Sequence, residues 1–149
     1  MGLALALAMV ERSSFSARFA APVTGRLRER AKRGGQSQRH LAERYIDEGL
    51  RMDDHPGIAF RDEPAGRRAG LAAGPDVWEL VAALKRHSTR GQEAVRELAG
   101  LLELSDGQIE TALDYYGEYP EEIEELIGRH EEEAERAEAT WLRQQSALD

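Results

Sequence analysis

The chain has 149 residues, 41% of them apolar, 32% charged and only 6% aromatic, with a formal net charge of −8. Such a length allows one domain of ordinary size or two small ones, and so lean a core points to an oligomer that shares it. There is no cysteine, which excludes disulfides and thiolate metal sites and fits a reducing cytoplasm.

The charge is sharply divided. Residues 11–52 hold ten Lys/Arg against five Asp/Glu, whereas residues 53–149 hold ten against twenty-three. Phosphate repels an acidic surface, so any nucleic-acid contact is expected in the first third of the chain.

Residues 1–12 begin with an apolar run, Gly2 to Val10, too short to span a bilayer and without the basic segment of a signal peptide. They read as a disordered leader or an overcalled start, and the protein as cytoplasmic with no membrane segment. Ser14 to Phe19 then alternates polar and apolar residues with period two. A strand here places Phe15, Ala17 and Phe19 on one face and Ser14, Ser16 and Arg18 on the other. The second face offers two hydroxyls and a guanidinium to DNA.

Pro22 suits a first helical turn, and Val23, Leu27 and Ala31 recur every four residues among Arg26, Arg28, Arg30, Lys32 and Arg33. Gly34-Gly35 ends that helix and Ser37 caps a second, reaching about Met52, with Leu41, Tyr45 and Leu50 inward and Ile46 beside them. Asp53 to Gly57 breaks the pattern and marks the expected domain boundary. Two short strands follow near Ile58–Phe60 and Arg67–Leu71, joined by a turn over Asp62 to Gly66.

A third helix starts at Gly74-Pro75-Asp76 and carries Val77, Leu80, Val81 and Leu84. His87 to Gln92 forms a polar loop, and a fourth helix covers about Gln92–Ala99. Ser105 and Gln108 have capping-box spacing for a fifth, with Ile109, Ala112, Leu113 and Tyr116 as its apolar face. Pro120 opens the last helix, to about Gln145, whose apolar positions are Ile123, Leu126, Ile127, His130, Ala134, Ala137 and Trp141.

Residues 14 to about 52, through the alternating strand, Pro22, Gly34-Gly35 and Ser37, resemble a ribbon-helix-helix domain of the Arc and MetJ repressor class. The resemblance implies a homodimer paired through the N-terminal strand and bound to double-stranded operator DNA. Ser14, Ser16 and Arg18 would contact bases, while Gln36, Ser37, Gln38 and Arg39 at the second helix's start would contact phosphate.

The run Glu97 to Leu113 resembles a helix-turn-helix, packed through Leu98, Ala99, Leu102, Leu104, Ile109 and Leu113. Its second helix exposes Asp106, Gln108, Glu110 and Asp114, so it reads as a scaffold that does not bind DNA. Residues 56 to about 117, through Gly66 to Trp78 and Ile109 to Tyr116, resemble a domain of unknown function found in VapB-like antitoxins, with Ala72 and Ala73 in place of that family's threonine-arginine pair. The resemblance implies a cognate toxin, a PIN-like ribonuclease with a carboxylate-rich centre. Arg129, Arg136 and Arg143 recur every seven residues, and Trp141, Arg143 and Arg136 are the candidate toxin-binding residues. A self-contained amphipathic helix, with arginines paired to Glu125, Glu132 and Glu133, explains the same pattern.

No chemistry of an enzyme is legible. His40, His55, His87 and His130 lack metal-ligand spacing, Gly66, Gly70 and Gly74 lack the residues of a phosphate loop, and no serine sits in a nucleophile elbow. No catalytic residue, metal or cofactor is expected. The fold class expected is mostly α: a ribbon-helix-helix over residues 13–53, then an acidic domain over 56–149 with a small hairpin, a helix-turn-helix-like pair and a long terminal helix. The function expected is that of a DNA-binding antitoxin repressing its own operon. The alternative is a stand-alone dimeric transcriptional regulator whose second domain oligomerises or senses a ligand.

Overall fold

A computed structural model describes residues 13–64 and 66–146. The expected leader at 1–12 lies outside the described residues, as do Ala65 of the expected turn and residues 147–149. Among the described residues the order is α1 (Ala21–Arg33), α2 (Gln38–Asp54), β1 (Ile58–Glu63), β2 (Gly66–Leu71), α3 (Val77–Arg86), α4 (Gly91–Leu102), α5 (Asp106–Glu118) and α6 (Pro120–Ser146). The chain divides between Arg44 and Tyr45 into two compact units, so the division falls inside α2.

The ribbon-helix-helix arrangement expected at the N-terminus is not formed. Residues 13–20 hold no strand, and Phe15 and Phe19 are 85% and 52% exposed. Alternation decides which face of a strand would be buried, but it supplies neither a pairing edge nor a surface to cover. The hairpin, expected as part of a C-terminal domain, lies mid-chain between α2 and α3; its two strands form a two-stranded sheet, with Gly70 also bridged to Asp76.

In the first unit, Pro22 sits in the opening turn of α1, where its missing N–H costs no helical hydrogen bond. The helix ends in a Schellman arrangement. The Gln36 N–H donates to the Ala31 carbonyl at 3.1 Å and the Gly35 N–H to that of Lys32 at 3.3 Å, with Gly35 at φ 62°. Ser37 then caps α2, its Oγ accepting the His40 N–H at 3.1 Å. Ala31 and Leu41 are buried.

In the second unit α3 is the hub, touching β2, α4, α5 and α6. Its Val77, Leu80 and Val81 are buried with Ile58, Leu71, Leu98, Ile109, Tyr115, Ile123 and Ile127 in one core. The hairpin is antiparallel, in register from Ile58 opposite Leu71 to Glu63 opposite Gly66, so both strands run further toward the turn than expected. Helix α4 likewise continues to Leu102, past Gly100, and stops at Glu103, whose left-handed φ of 55° turns the chain so that the Leu104 N–H reaches the Ala99 carbonyl at 2.9 Å.

Two inner faces differ from expectation. On α2 only Leu41 of the four expected apolar residues is buried, while Tyr45, Ile46 and Leu50 are exposed. On α5 it is Tyr115 that is fully buried and Tyr116 only half so, because the core meets α5 along Ile109, Ala112 and Tyr115, spaced three by three.

Candidate functional site

The first unit carries the basic surface. Over residues 13–44 the chain has eight Lys/Arg against two Asp/Glu. Arg26, Arg28, Arg30, Lys32, Arg33 and Arg39 are all exposed. Spacings of four and three put Arg26, Arg30 and Arg33 along one side of α1, a cationic row roughly 10 Å long. Ser14, Ser16 and Arg18 are exposed too, in the non-regular segment before α1. Gln36, Ser37, Gln38 and Arg39 stand at the tip of α2 as the sequence suggests. With the Ser37 hydroxyl already accepting from His40, the N–H groups of Gln38 and Arg39 are the ones left without an intrahelical acceptor.

The second unit contains two built polar clusters that the sequence did not reveal. In the first, Arg51 near the end of α2 donates from Nη1 to Tyr115 Oη at 2.9 Å and to Glu122 Oε2 at 2.7 Å. The Tyr115 hydroxyl in turn donates to Glu122 Oε1 at 3.0 Å, and the Arg51 guanidinium lies 4.1 Å over the Tyr119 ring. His55 Nε2 meets Glu118 at 2.7 Å, and its ring stands edge-on to Tyr115 and Tyr119. Burial alone would lower the Arg51 pKa, yet hydrogen bonds to Glu122 and Tyr115 raise it above its ordinary value. Burial raises the Tyr115 phenol, reinforced by Glu122. The cluster therefore holds a permanent cation, a carboxylate and a neutral phenol. Such a set clamps helices together.

The second cluster accounts for the Gly66–Trp78 segment. Arg61 donates to the carbonyls of Leu71 and Gly74, each at 3.0 Å, and to Asp76 Oδ1 at 2.7 Å. Asp76 also lies 3.8 Å from Arg68 and opens α3 through a capping box with Glu79. A Cβ at position 70 would meet the Arg61 guanidinium, so a larger residue there would displace that group from its hydrogen bonds. This region is a structural latch.

Helix α6 is divided along its length. Ile123, Leu126 and Ile127 are buried and His130 is half-buried, stacked on Trp78, whereas every residue from Glu131 to Ser146 is exposed. Trp141 and Leu142 are 56% and 51% exposed. Arg136 lies 3.8 Å from Glu132 and Arg143 donates to Thr140 Oγ1 at 3.0 Å. Arg143 is two residues past Trp141, roughly 200° further around the helix, so the arginine row and the tryptophan face opposite ways.

Among the described residues no group of histidines and carboxylates could hold a metal ion, and no helix is long and apolar enough to cross a membrane. No family model matches the chain, and neither a curated protein nor a solved structure matches it.

Proposed function

We propose that this chain is a DNA-binding antitoxin that represses its own operon from the cytoplasm and neutralises a ribonuclease toxin through its acidic half. The observation that carries the reading is the division of labour between exposed surfaces. A cationic row and an unsatisfied helix tip occupy the first unit, while half of a 27-residue helix stands uncovered at the end of the second. Arginines along α1 and N–H groups at the tip of α2 suit phosphate, and phosphate contacts position a protein on a duplex. Base contact would come from the helices and from Arg18, with no paired strand required.

The exposed half of α6 suits a protein partner. Its face with Trp141 has an anchor of the kind that dominates interfaces. The choice of a PIN-like ribonuclease as toxin follows from the VapB-like resemblance of residues 56–117. Affinity purification of the tagged full-length chain from its host, followed by identification of bound protein and bound DNA, tests the reading. A ribonuclease encoded beside this gene, recovered together with the promoter fragment, is the expected result. Promoter DNA recovered without any protein would support the stand-alone regulator instead, and neither recovered would overturn both.

A further inference from the structure

We infer that the exposed half of α6 docks into an apolar groove rimmed by lysine or arginine on its partner, and that neither the α6 arginines nor a second copy of this chain supplies the contact. The inference rests on the reading of α6 as the partner-holding helix and specifies the partner's chemistry. Ile123, Ile127 and His130, which face the domain, are continued by Ala134, Ala137 and Trp141 at alternating spacings of four and three. One stripe thus runs the whole helix, docked at its start and bare from Ala134 onward. Ala134 and Ala137 let another backbone approach closely, and Trp141 offers a single large anchor.

Charge decides the occupant. Residues 131–146 hold five glutamates against two arginines. Glu131, which lies 3.9 Å from Arg86, and Glu138 flank the stripe on one side and Glu133, 3.7 Å from His130, flanks it on the other, while Arg136 and Arg143 lie on the far face. Pairing α6 with itself would set Glu133 against Glu138 in a parallel pair, or Glu131 and Glu138 against their copies in an antiparallel one. Both are repulsive, so self-association through this stripe is disfavoured. A groove with basic rims meets the same carboxylates favourably.

The test uses the full-length protein and two labelled amphipathic helical peptides. Each has leucine at its core positions, one with lysine and one with glutamate at the flanking positions. Fluorescence anisotropy should show binding of the lysine peptide and none of its glutamate twin. Trp141→Ala should weaken binding by about tenfold or more, the effect of losing one interface anchor. Glu131→Lys with Glu138→Lys should do the same, whereas Glu121→Lys with Glu125→Lys, an equal charge change on the opposite face, should leave it within about twofold. Equal binding of both peptides, no binding of either, or indifference to Trp141→Ala would overturn the inference. So would a dimer of the protein that dissociates on Trp141→Ala. Should a ribonuclease still co-purify through α6 while the lysine peptide fails, the partner's chemistry falls and the antitoxin reading stands.

Discussion

Trp78 and His130 stack face to face, their ring centroids 3.9 Å apart and their planes within 2° of parallel. Beyond this contact the helix runs on exposed from Glu131, whose carboxylate lies 3.9 Å from Arg86 on α3. Aromatic contacts contribute about 0.5–1.5 kcal/mol beyond the area they bury. His130→Ala should therefore lower the unfolding free energy by about 1 kcal/mol in urea titration and change the fluorescence of Trp78. An unaltered urea midpoint would show that the stack adds nothing to docking.

The two halves of α6 should respond oppositely to truncation. Ile127→Ala empties a core position and should cost about 2–5 kcal/mol, while Trp141→Ala should stay within about 0.5 kcal/mol of the parent. Thermal and urea unfolding of both variants checks this. A large loss for Trp141→Ala would mean that the end of α6 is held by its own domain.

Arg51 ties the end of α2 to α5 and α6 through Tyr115 and Glu122. Hydrogen bonds to charged groups contribute about 1.5–3 kcal/mol, so Arg51→Ala should cost about that much. Tyr115→Phe, which keeps the ring in the core, should cost about 1 kcal/mol. The double variant should lose less than the two single losses added, because both report on one network.

Alkaline pH should loosen the second unit. Burial and then Glu122 raise Tyr115, the hydrogen bond to Glu124 raises Tyr116, and burial followed by Glu118 raises Tyr119, each above the ordinary value of 10.0. A raised folded-state pKa means that the folded chain holds its proton more tightly than the unfolded one. That stability is whole below pH 10.0 and is lost as pH climbs through the raised values. Lys85, raised chiefly by its hydrogen bond to Glu124, acts in the same sense from its own ordinary value of 10.5. Urea titrations at several pH values should show stability falling above about pH 10, less steeply in Tyr115→Phe. A flat profile through that range would contradict the burial of Tyr115.

What could be read from the sequence is what local chemistry decides. Gly35 after a basic last turn, Ser37 before α2 and Ser105 three residues before Gln108 each set a helix end through bonds spanning a few residues. Those ends lie where the sequence places them. The alternation at Ser14 to Phe19 is equally local in form, but a strand exists only when another strand accepts its hydrogen bonds, and no residue within the segment specifies one. Arg51 meets partners 64 and 71 residues away, so no spacing rule could have found its cluster. Trp78 and His130 likewise join distant turns of two helices. The exposed basic row was legible because charge needs no partner to be counted. The opposition of Trp141 and Arg143 follows from helical angle alone.

Salt-dependent binding shows whether the basic first unit holds DNA. Full-length protein should be titrated against double-stranded DNA from upstream of its own gene at several ionic strengths, beside the Arg26→Gln, Arg30→Gln, Arg33→Gln triple variant. Affinity should fall steeply with salt, and the variant should bind more weakly, with a slope flatter by about 0.9 for each arginine that had neutralised a phosphate. No complex at low salt, or an identical slope for parent and variant, would contradict DNA binding by that unit.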